Sequence, residues 1–279
     1  MTGSPMRPAV LVVEDDLATR NLLRVVLNRS GFEVDLVSSG TDVITLVSNV
    51  HYSAVLFDLY MGGTSGHDLL AAILTTMPEM LPRVVVVSSA PKKELDRVRK
   101  LYPMICALRK PFELEELLAA VKSVAVEPPS RDVAAEFCRR SIINGAKTGV
   151  ALVPAPEASH LNVAMSFGYN AGALEPFSSM ALDAPYPICA AYRRQRPIWF
   201  ASLTLASAEY PLLTSVWEEN HGHALAALPL MSDGQCVGVA GWSFRDARPF
   251  AADERRPFEE IAAFLATELG ASSSAARAG

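Results

Sequence analysis

The sequence predicts two successive folds: an α/β domain built on a five-stranded, doubly wound parallel sheet, then an α+β domain with an antiparallel sheet. Three observations carry this. From residue 9 short apolar runs alternate with amphipathic stretches, one of the runs is an unbroken VVVV at 84–87, and the rhythm changes after the Pro-Pro pair at 128–129. A continuous β-branched run suits a strand covered on both faces, which is the signature of a parallel sheet between two layers of helices.

The elements follow in order. The first strand, 9–13 (AVLVV), runs directly into the carboxylates Glu14, Asp15 and Asp16. Like charges so close repel and raise one another's pKa unless a cation sits among them. A helix at about 17–29 is stopped by Gly31, and strand 33–37 (EVDLV) leads to a helix near 42–50 that Thr41 can cap. Strand 53–57, a helix at 66–77, strand 83–88, a helix at 92–102, strand 105–109 and a helix at 113–126 complete five βα units. Pro128 and Pro129 end the last helix and make 127–131 a stiff, extended linker.

Beyond it a helix at 132–144 precedes strands at 149–153 and 160–167, a helix at 181–194 and a strand at 197–200. Strands at 223–231 and 236–244 flank the turn SDGQ, an antiparallel hairpin signal. A final helix, with Pro257 near its first turn, is expected to stop at Gly270. These readings divide the chain into 1–126, the linker 127–131, a second domain over 132–271 and a disordered tail over 272–279.

At 279 residues, with 50% hydrophobic and 20% charged content, the chain has the composition of packed globular material in two domains. Its net charge of −5 is shared between the halves: 13 Lys/Arg against 14 Asp/Glu in 1–126, and 12 against 16 in 127–279. Neither half has the basic excess of a nucleic-acid binder. No apolar run has the length of a membrane span and the N-terminus lacks a signal-peptide core, so the expected location is the cytoplasm, with no membrane partner. Cys106, Cys138, Cys189 and Cys236 form no CxxC pair and read as free thiols.

In a doubly wound sheet the reactive crevice lies beyond the carboxyl ends of the strands. Read there, strand 1 contributes Glu14 and Asp15, strand 3 Asp58, strand 4 Ser88 and Ser89, and strand 5 Lys110 and Pro111. Three carboxylates in one crevice call for a hard cation, and oxygen donors suit magnesium. With a fixed ammonium and a hydroxyl donor, the set neutralises a transferred phosphoryl group.

With these motifs, VVEDD, AVLFDLYMGGTSG, VVVVSSAPKKE and LRKPF, in this order and separation, residues 8–126 resemble the receiver domain of a two-component response regulator, a flavodoxin-like fold. The resemblance implies that Asp58 accepts a phosphoryl group from a sensor histidine kinase. It implies that Asp15, Asp58 and the Tyr60 carbonyl hold Mg²⁺, with Glu14 supporting the metal through water, and that Ser88 and Lys110 bind the phosphoryl oxygens, with Ser89 beside them. Such a domain catalyses only its own phosphoryl transfer and dephosphorylation. Gly66 matches the family's turn before the third helix, and Asp16 falls one place beyond the metal-binding pair. Two positions depart from the pattern: Met61-Gly62-Gly63 replaces the frequent Met-Pro, and Ala107 stands where an aromatic switch residue is common. Tyr60 and Ala90 flank the acceptor, where they would control water access.

Residues 132–270 resemble a GAF domain, on DAPYPICAAYRRQRPIWFAS, AEYPLL, HALAALPLMSDGQCVGVAGWSF and RPFAADE. That resemblance implies a sensor or dimerisation module with a possible small-molecule ligand that fold alone does not name. The residues argue against two ligands: Cys189 lacks the local motif of a chromophore attachment site, and the Asn-Lys pair of cyclic-nucleotide binders is missing. His221 and His223 read as turn residues, and Trp199, Tyr210, Trp217, Trp242 and Phe244 as core or cavity lining. The apolar stripes Val133/Phe137 and Ile261/Leu265 pack either on the domain's own sheet or between copies in a homodimer. The chain thus reads as a response regulator whose output runs through a GAF module instead of DNA binding. A scaffold that works without phosphorylation and a small-molecule sensor dominated by the GAF half are the alternatives.

Overall fold

The computed structural model describes residues 7–38, 42–61, 66–125, 132–157, 159–169, 173–213 and 223–278. The chain divides into two compact units, Met1–Arg131 and Asp132–Gly279.

The first unit alternates β1 (Ala9–Val13), α1 (Leu17–Arg29), β2 (Glu33–Val37), α2 (Val43–Asn49), β3 (Ala54–Asp58), α3 (Gly66–Thr76), β4 (Val84–Ser88), α4 (Lys92–Leu101), β5 (Cys106–Arg109) and α5 (Leu114–Val124). The five strands are all parallel, in the order β2-β1-β3-β4-β5. Every residue of β3 and β4 is buried, which is why those runs are apolar throughout rather than alternating. Val10, Val12, Leu56, Val85 and Val87 meet Leu23 and Leu27 of α1 and Leu117 and Val121 of α5 in one cluster. Leu11, Val55 and Val86, one residue out of phase, are equally buried on the opposite face. Gly31 takes φ +95° just after α1, where a side chain would be strained. One element escaped the sequence reading, a 3₁₀ turn over Pro78–Arg83 before β4.

The second unit carries a six-stranded antiparallel sheet in the order β8-β7-β6-β11-β10-β9. Its strands are β6 (Ala146–Pro154), β7 (His160–Phe167), β8 (Ser179–Ala181), β9 (Ile198–Phe200), β10 (Ala224–Ser232) and β11 (Gln235–Phe244). The helices are α6 (Val133–Ile143), α7 (Pro187–Arg194), α8 (Leu203–Glu209) and α9 (Ala252–Ala278). Asp233 and Gly234 close the β10–β11 hairpin with φ of 48° and 76°, the two left-handed residues that a tight two-residue turn matching strand twist requires. Asp132 caps α6, accepting from the Ala134 and Ala135 N–H groups at 2.9 and 3.3 Å.

Several boundaries differ from the sequence reading. The helix expected over 181–194 begins only at Pro187, because a proline fits the first helical turn, where no N–H is needed, and not the interior. Residues 179–181 form an edge strand instead, paired with β7. Helix α8, capped by Ser202, was not anticipated. The last helix does not stop at Gly270 but runs on to Ala278, so the backbone of 272–278, expected to be disordered, is helical. Its sequence there is rich in alanine, the best helix former, and outweighs one glycine. Pro257 sits past the first turn of α9, where it removes one i→i−4 hydrogen bond. The linker 127–131, Trp217 and His221 lie outside the described residues.

Most of the two apolar stripes packs within the unit itself, with Val133 left half-buried. Phe137, Ile261 and Leu265 are buried, and α9 packs on β10, β11 and α6. There Trp242 stacks edge-on with Phe137 and Phe258 at 6.0 and 5.3 Å and donates its indole N–H to Ser141 at 2.8 Å. All four cysteines are free. Burial pushes the Cys138 thiol up to about 12 and Cys189 to about 11, so both stay protonated and unreactive near neutral pH.

Candidate functional site

The strand ends of the first unit bring three predicted residues into direct contact. Lys110 Nζ donates to Glu14 Oε2 and to Asp58 Oδ2, both at 2.8 Å. The two carboxylates are deeply buried while the lysine is about one-quarter exposed, so the ammonium closes the crevice from its solvent side. Burial alone would lower the Lys110 pKa; its hydrogen bonds to Asp58 and Glu14 outweigh that and raise it above the ordinary lysine value.

Backbone bonds set the geometry. The Lys110 N–H donates to the Ser88 carbonyl at 2.8 Å, so the ends of β4 and β5 hold the hydroxyl residue beside the lysine. Ser88 is fully buried and its Oγ accepts from the Ala90 N–H at 3.2 Å, whereas Ser89 is exposed. The Tyr60 N–H donates to Asp58 Oδ1 at 2.9 Å, which leaves Oδ2 to the lysine and fixes the carboxylate plane. The Lys110–Pro111 peptide is cis.

Gly66 explains itself here. A Cβ at this position would stand 2.2 Å from the Asp58 carbonyl oxygen and 2.5 Å from Leu59 Cα, and its N–H bonds the Leu59 carbonyl at 3.2 Å. Only a hydrogen fits between the start of α3 and the backbone of Asp58. Asp16, read as lying outside the metal-binding pair, is the N-cap of α1: its Oδ1 accepts from the Thr19 N–H at 2.7 Å, and hydrogen bonds from the Thr19 hydroxyl and then from that N–H hold its carboxyl below the ordinary value.

Magnesium favours hard oxygen donors and keeps several waters, so it is held by one or two carboxylates rather than a full protein cage. Glu14 and Asp58 fit that requirement, since both reach the same cationic atom and one cation can therefore face both. Asp15 is exposed, and among the described residues no three His, Cys, Asp or Glu groups stand close enough to hold an ion by themselves. Of the predicted set Glu14, Asp15, Asp58 and Tyr60, the fold thus gathers two carboxylates, ties Tyr60 to one of them and leaves Asp15 toward solvent.

The sequence reading missed a polar cluster beside the crevice. The Tyr60 hydroxyl donates to Glu94 Oε2 at 2.5 Å, and His67 Nε2 meets Glu94 Oε1 at 3.0 Å. This ties the loop after Asp58 to α3 and α4. The bond to Tyr60 holds Glu94 below the ordinary carboxylate value and raises the phenol. Ala107, in place of an aromatic residue, is buried, and its carbonyl accepts from Arg99 at 2.5 Å.

The first unit is thus a doubly wound α/β module with an acid–lysine crevice at its strand ends, and the second an antiparallel-sheet module. Residues 10–122 match the family of the response regulator receiver domain, so the first unit carries a receiver domain. Among curated proteins, the response regulator MprA of Mycobacterium sp. (strain KMS) is 33% identical over 119 residues, 41% of this chain and 49% of that protein. The DNA-binding transcriptional regulator NtrC of Bradyrhizobium sp. is 33% identical over 127 residues, 44% of this chain and 25% of that protein. The chain thus spans half or less of the length of these relatives. Among solved structures, the chemotaxis response regulator CheY4 of Vibrio cholerae is similar with a TM-score of 0.39 and 20% identity, over 43% of this chain and 99% of its own. The GAF domain of a phosphoenolpyruvate-protein phosphotransferase from Coxiella burnetii is similar with a TM-score of 0.43 and 17% identity, over 52% of this chain and 84% of its own. The second unit, a six-stranded antiparallel sheet, resembles GAF domains.

Proposed function

We propose that Asp58 is the phosphoacceptor of a two-component response regulator whose partner is a sensor histidine kinase and whose output passes through the C-terminal unit rather than DNA. The observation that carries this is the buried Glu14–Lys110–Asp58 arrangement at the ends of β1, β5 and β3. One carboxylate oxygen of Asp58 forms the new P–O bond as the bond from phosphorus to the donor breaks, and the electron pair of that bond leaves with the donor. Lys110 moves with the incoming charge, its ammonium turning from the free carboxylate to a phosphoryl oxygen. Glu14 keeps the second hydrogen bond to Lys110 and so holds it in place. Glu14, Asp15, Asp58 and the Tyr60 carbonyl are the groups that would hold Mg²⁺, which when bound supplies charge neutralisation for the phosphoryl oxygens. Ser88, fully buried beside Lys110, offers its hydroxyl to the same oxygens once it lets go of the Ala90 N–H.

The phosphoryl group adds roughly −1.5 to −2 charges at that point, which draws Ser88 and the loop after β4 inward. In the common coupling an aromatic ring follows the hydroxyl residue; with Ala107 in its place, the shift travels through the Tyr60–Glu94–His67 cluster that joins the acceptor loop to α4. Residues 132–271 act as the sensor half, and any ligand there is reciprocally linked to phosphorylation.

The test is intact mass spectrometry after incubation with acetyl phosphate and Mg²⁺. One added phosphoryl group is expected, abolished in Asp58→Ala and in Mg²⁺-free buffer. Phosphorylation that survives Asp58→Ala overturns the assignment.

A further inference from the structure

The second unit holds a cavity of about 100 Å³ between its sheet and α7. Strand register puts the wall residues in phase. Ser243 faces Thr148 and Gly241 faces Val150 across the β11–β6 pair, and Ala227 pairs with Gly241 across β10–β11. Thr148, Val150, Leu152, Ala227, Gly241 and Ser243 therefore present one face of the sheet to the cavity. Gly241 is the floor. A Cβ there would stand 2.9 Å from Ile188 Cδ1 of α7, so the missing side chain is what lets the helix pack down onto the sheet beside the cavity.

Two features set the chemistry of an occupant. The first is charge: among the described residues the lining contains no Asp, Glu, Lys, Arg or His. A charged group moved into this apolar space would lose its hydration with nothing to replace it, so anions, amino acids and nucleotides are disfavoured. The second is a hydroxyl chain at one end. Thr148 Oγ1 and Ser243 Oγ are 2.7 Å apart and both buried, and Thr148 also hydrogen-bonds the Tyr169 phenol. Three hydroxyl protons serve two links, so one proton and several lone pairs remain for a partner that both donates and accepts. A hydroxyl does both, whereas a ketone only accepts.

Volume supplies the last limit. A dry cavity of about 150 Å³ admits benzene. At about 100 Å³ the space here is smaller than that, so a single compact ring is the most it takes and fused rings are too large. We propose that this cavity binds a compact, neutral, monocyclic molecule bearing one hydroxyl, of the phenol type. Its ring would lie on Val150, Leu152 and Ala227, and its hydroxyl would join the Thr148–Ser243–Tyr169 chain. This deepens the sensor half of the function proposed above and rests on it only for the signalling consequence.

The test is calorimetric titration of the full-length protein with phenol, benzene, benzoate and a cyclic nucleotide. Phenol is expected to bind saturably, and about tenfold more tightly than benzene, the worth of one net hydrogen bond of about 1.4 kcal/mol. Benzoate and the nucleotide are expected to give no heat. Thr148→Val should erase the preference for phenol over benzene while keeping the ring site, and Ser243→Ala should weaken it in the same direction. Ala227→Leu, with folding checked by its thermal transition, should abolish binding of both rings. Binding of benzoate as tightly as phenol, no saturable binding of either ring, or phenol binding untouched by all three variants overturns the proposal. Asp58→Ala should bind phenol like the parent, so a failure here is distinguishable from a failure of the phosphoacceptor reading.

Discussion

Two buried carboxylates facing each other repel, and in the crevice of the first unit the Lys110 ammonium offsets that repulsion from 2.8 Å on each side. Replacing it by alanine leaves Glu14 and Asp58 buried without their cation. We expect Lys110→Ala to cost about 1–3 kcal/mol in urea denaturation, discounted for the lysine's partial exposure, and to slow phosphorylation of Asp58 at least about tenfold. Because the folded pKa of Lys110 is raised, its contribution is complete below the ordinary lysine value of 10.5 and is lost as pH rises through the higher folded value. A denaturation series from pH 8 to 11.5 should therefore show parent and Lys110→Ala stabilities converging only at the alkaline end. Gly66 offers a purely steric counterpart. Gly66→Ala drives a methyl group into the backbone of Asp58 and Leu59, which cannot rotate away as a side chain can. A loss of about 1–3 kcal/mol is expected, with slower phosphorylation because the acceptor itself is displaced. A variant of parental stability and parental rate would refute that reading. The family resemblance implied that Gly66 belonged to a turn, but the contact that forbids a side chain is tertiary and could not be read from the sequence.

At the scale of elements, the strands of the first unit were legible to within about a residue because both of their faces are covered and their apolar runs are unbroken. The site was legible for the same reason: in a doubly wound sheet, finding the strand ends finds the crevice. What stayed hidden were contacts between exposed polar residues distant in sequence. Tyr60 and Glu94 are 34 residues apart, and His67 and Glu94 27 apart, with no periodicity to mark them as neighbours. In the second unit the peripheral pieces were missed because they are short. Three residues of β8 and seven of α8 carry too little of a repeat to declare a period. Helix α6 was clear, and its stability has a testable pH dependence. Burial would raise the Glu136 carboxyl, but hydrogen bonds from Arg140 and Arg139, at 2.5 and 3.2 Å, hold it below the ordinary carboxylate value of 4.5. A depressed folded pKa means the unfolded chain takes up the proton first. The contribution is therefore full above about pH 4.5 and is lost as pH falls through the folded value. Glu136→Gln should cost about 1 kcal/mol at pH 7 and progressively less as pH is lowered below 4.5, measured by the thermal transition of the second unit.

The molecule as a whole contains separate cores. The first unit is built on the cluster of Val10, Leu27, Leu56, Val87 and Val121, and the second on clusters that include Leu152, Cys189 and Val239, and Ala190, Ala206 and Tyr210. Each of these clusters of described residues lies within one of the two units. Cooperative unfolding follows the core, since each buried side chain depends on its neighbours remaining in place, so calorimetry of the full chain should show two transitions. Phe258 assigns them. It is fully buried in α9, between the rings of Trp242 and Phe244 at 5.3 and 5.1 Å. Phe258→Ala removes an aromatic ring from a packed interior and should cost the second unit about 3–5 kcal/mol. The corresponding transition should fall by many degrees while the other keeps its midpoint. The same variant should still take one phosphoryl group on Asp58 at the parental rate, because nothing in the crevice has changed. If both transitions moved together, or if phosphorylation slowed with the loss of that ring, the two cores would be one cooperative body. The proposed signal would then be transmitted by folding energy rather than by a local rearrangement at the strand ends.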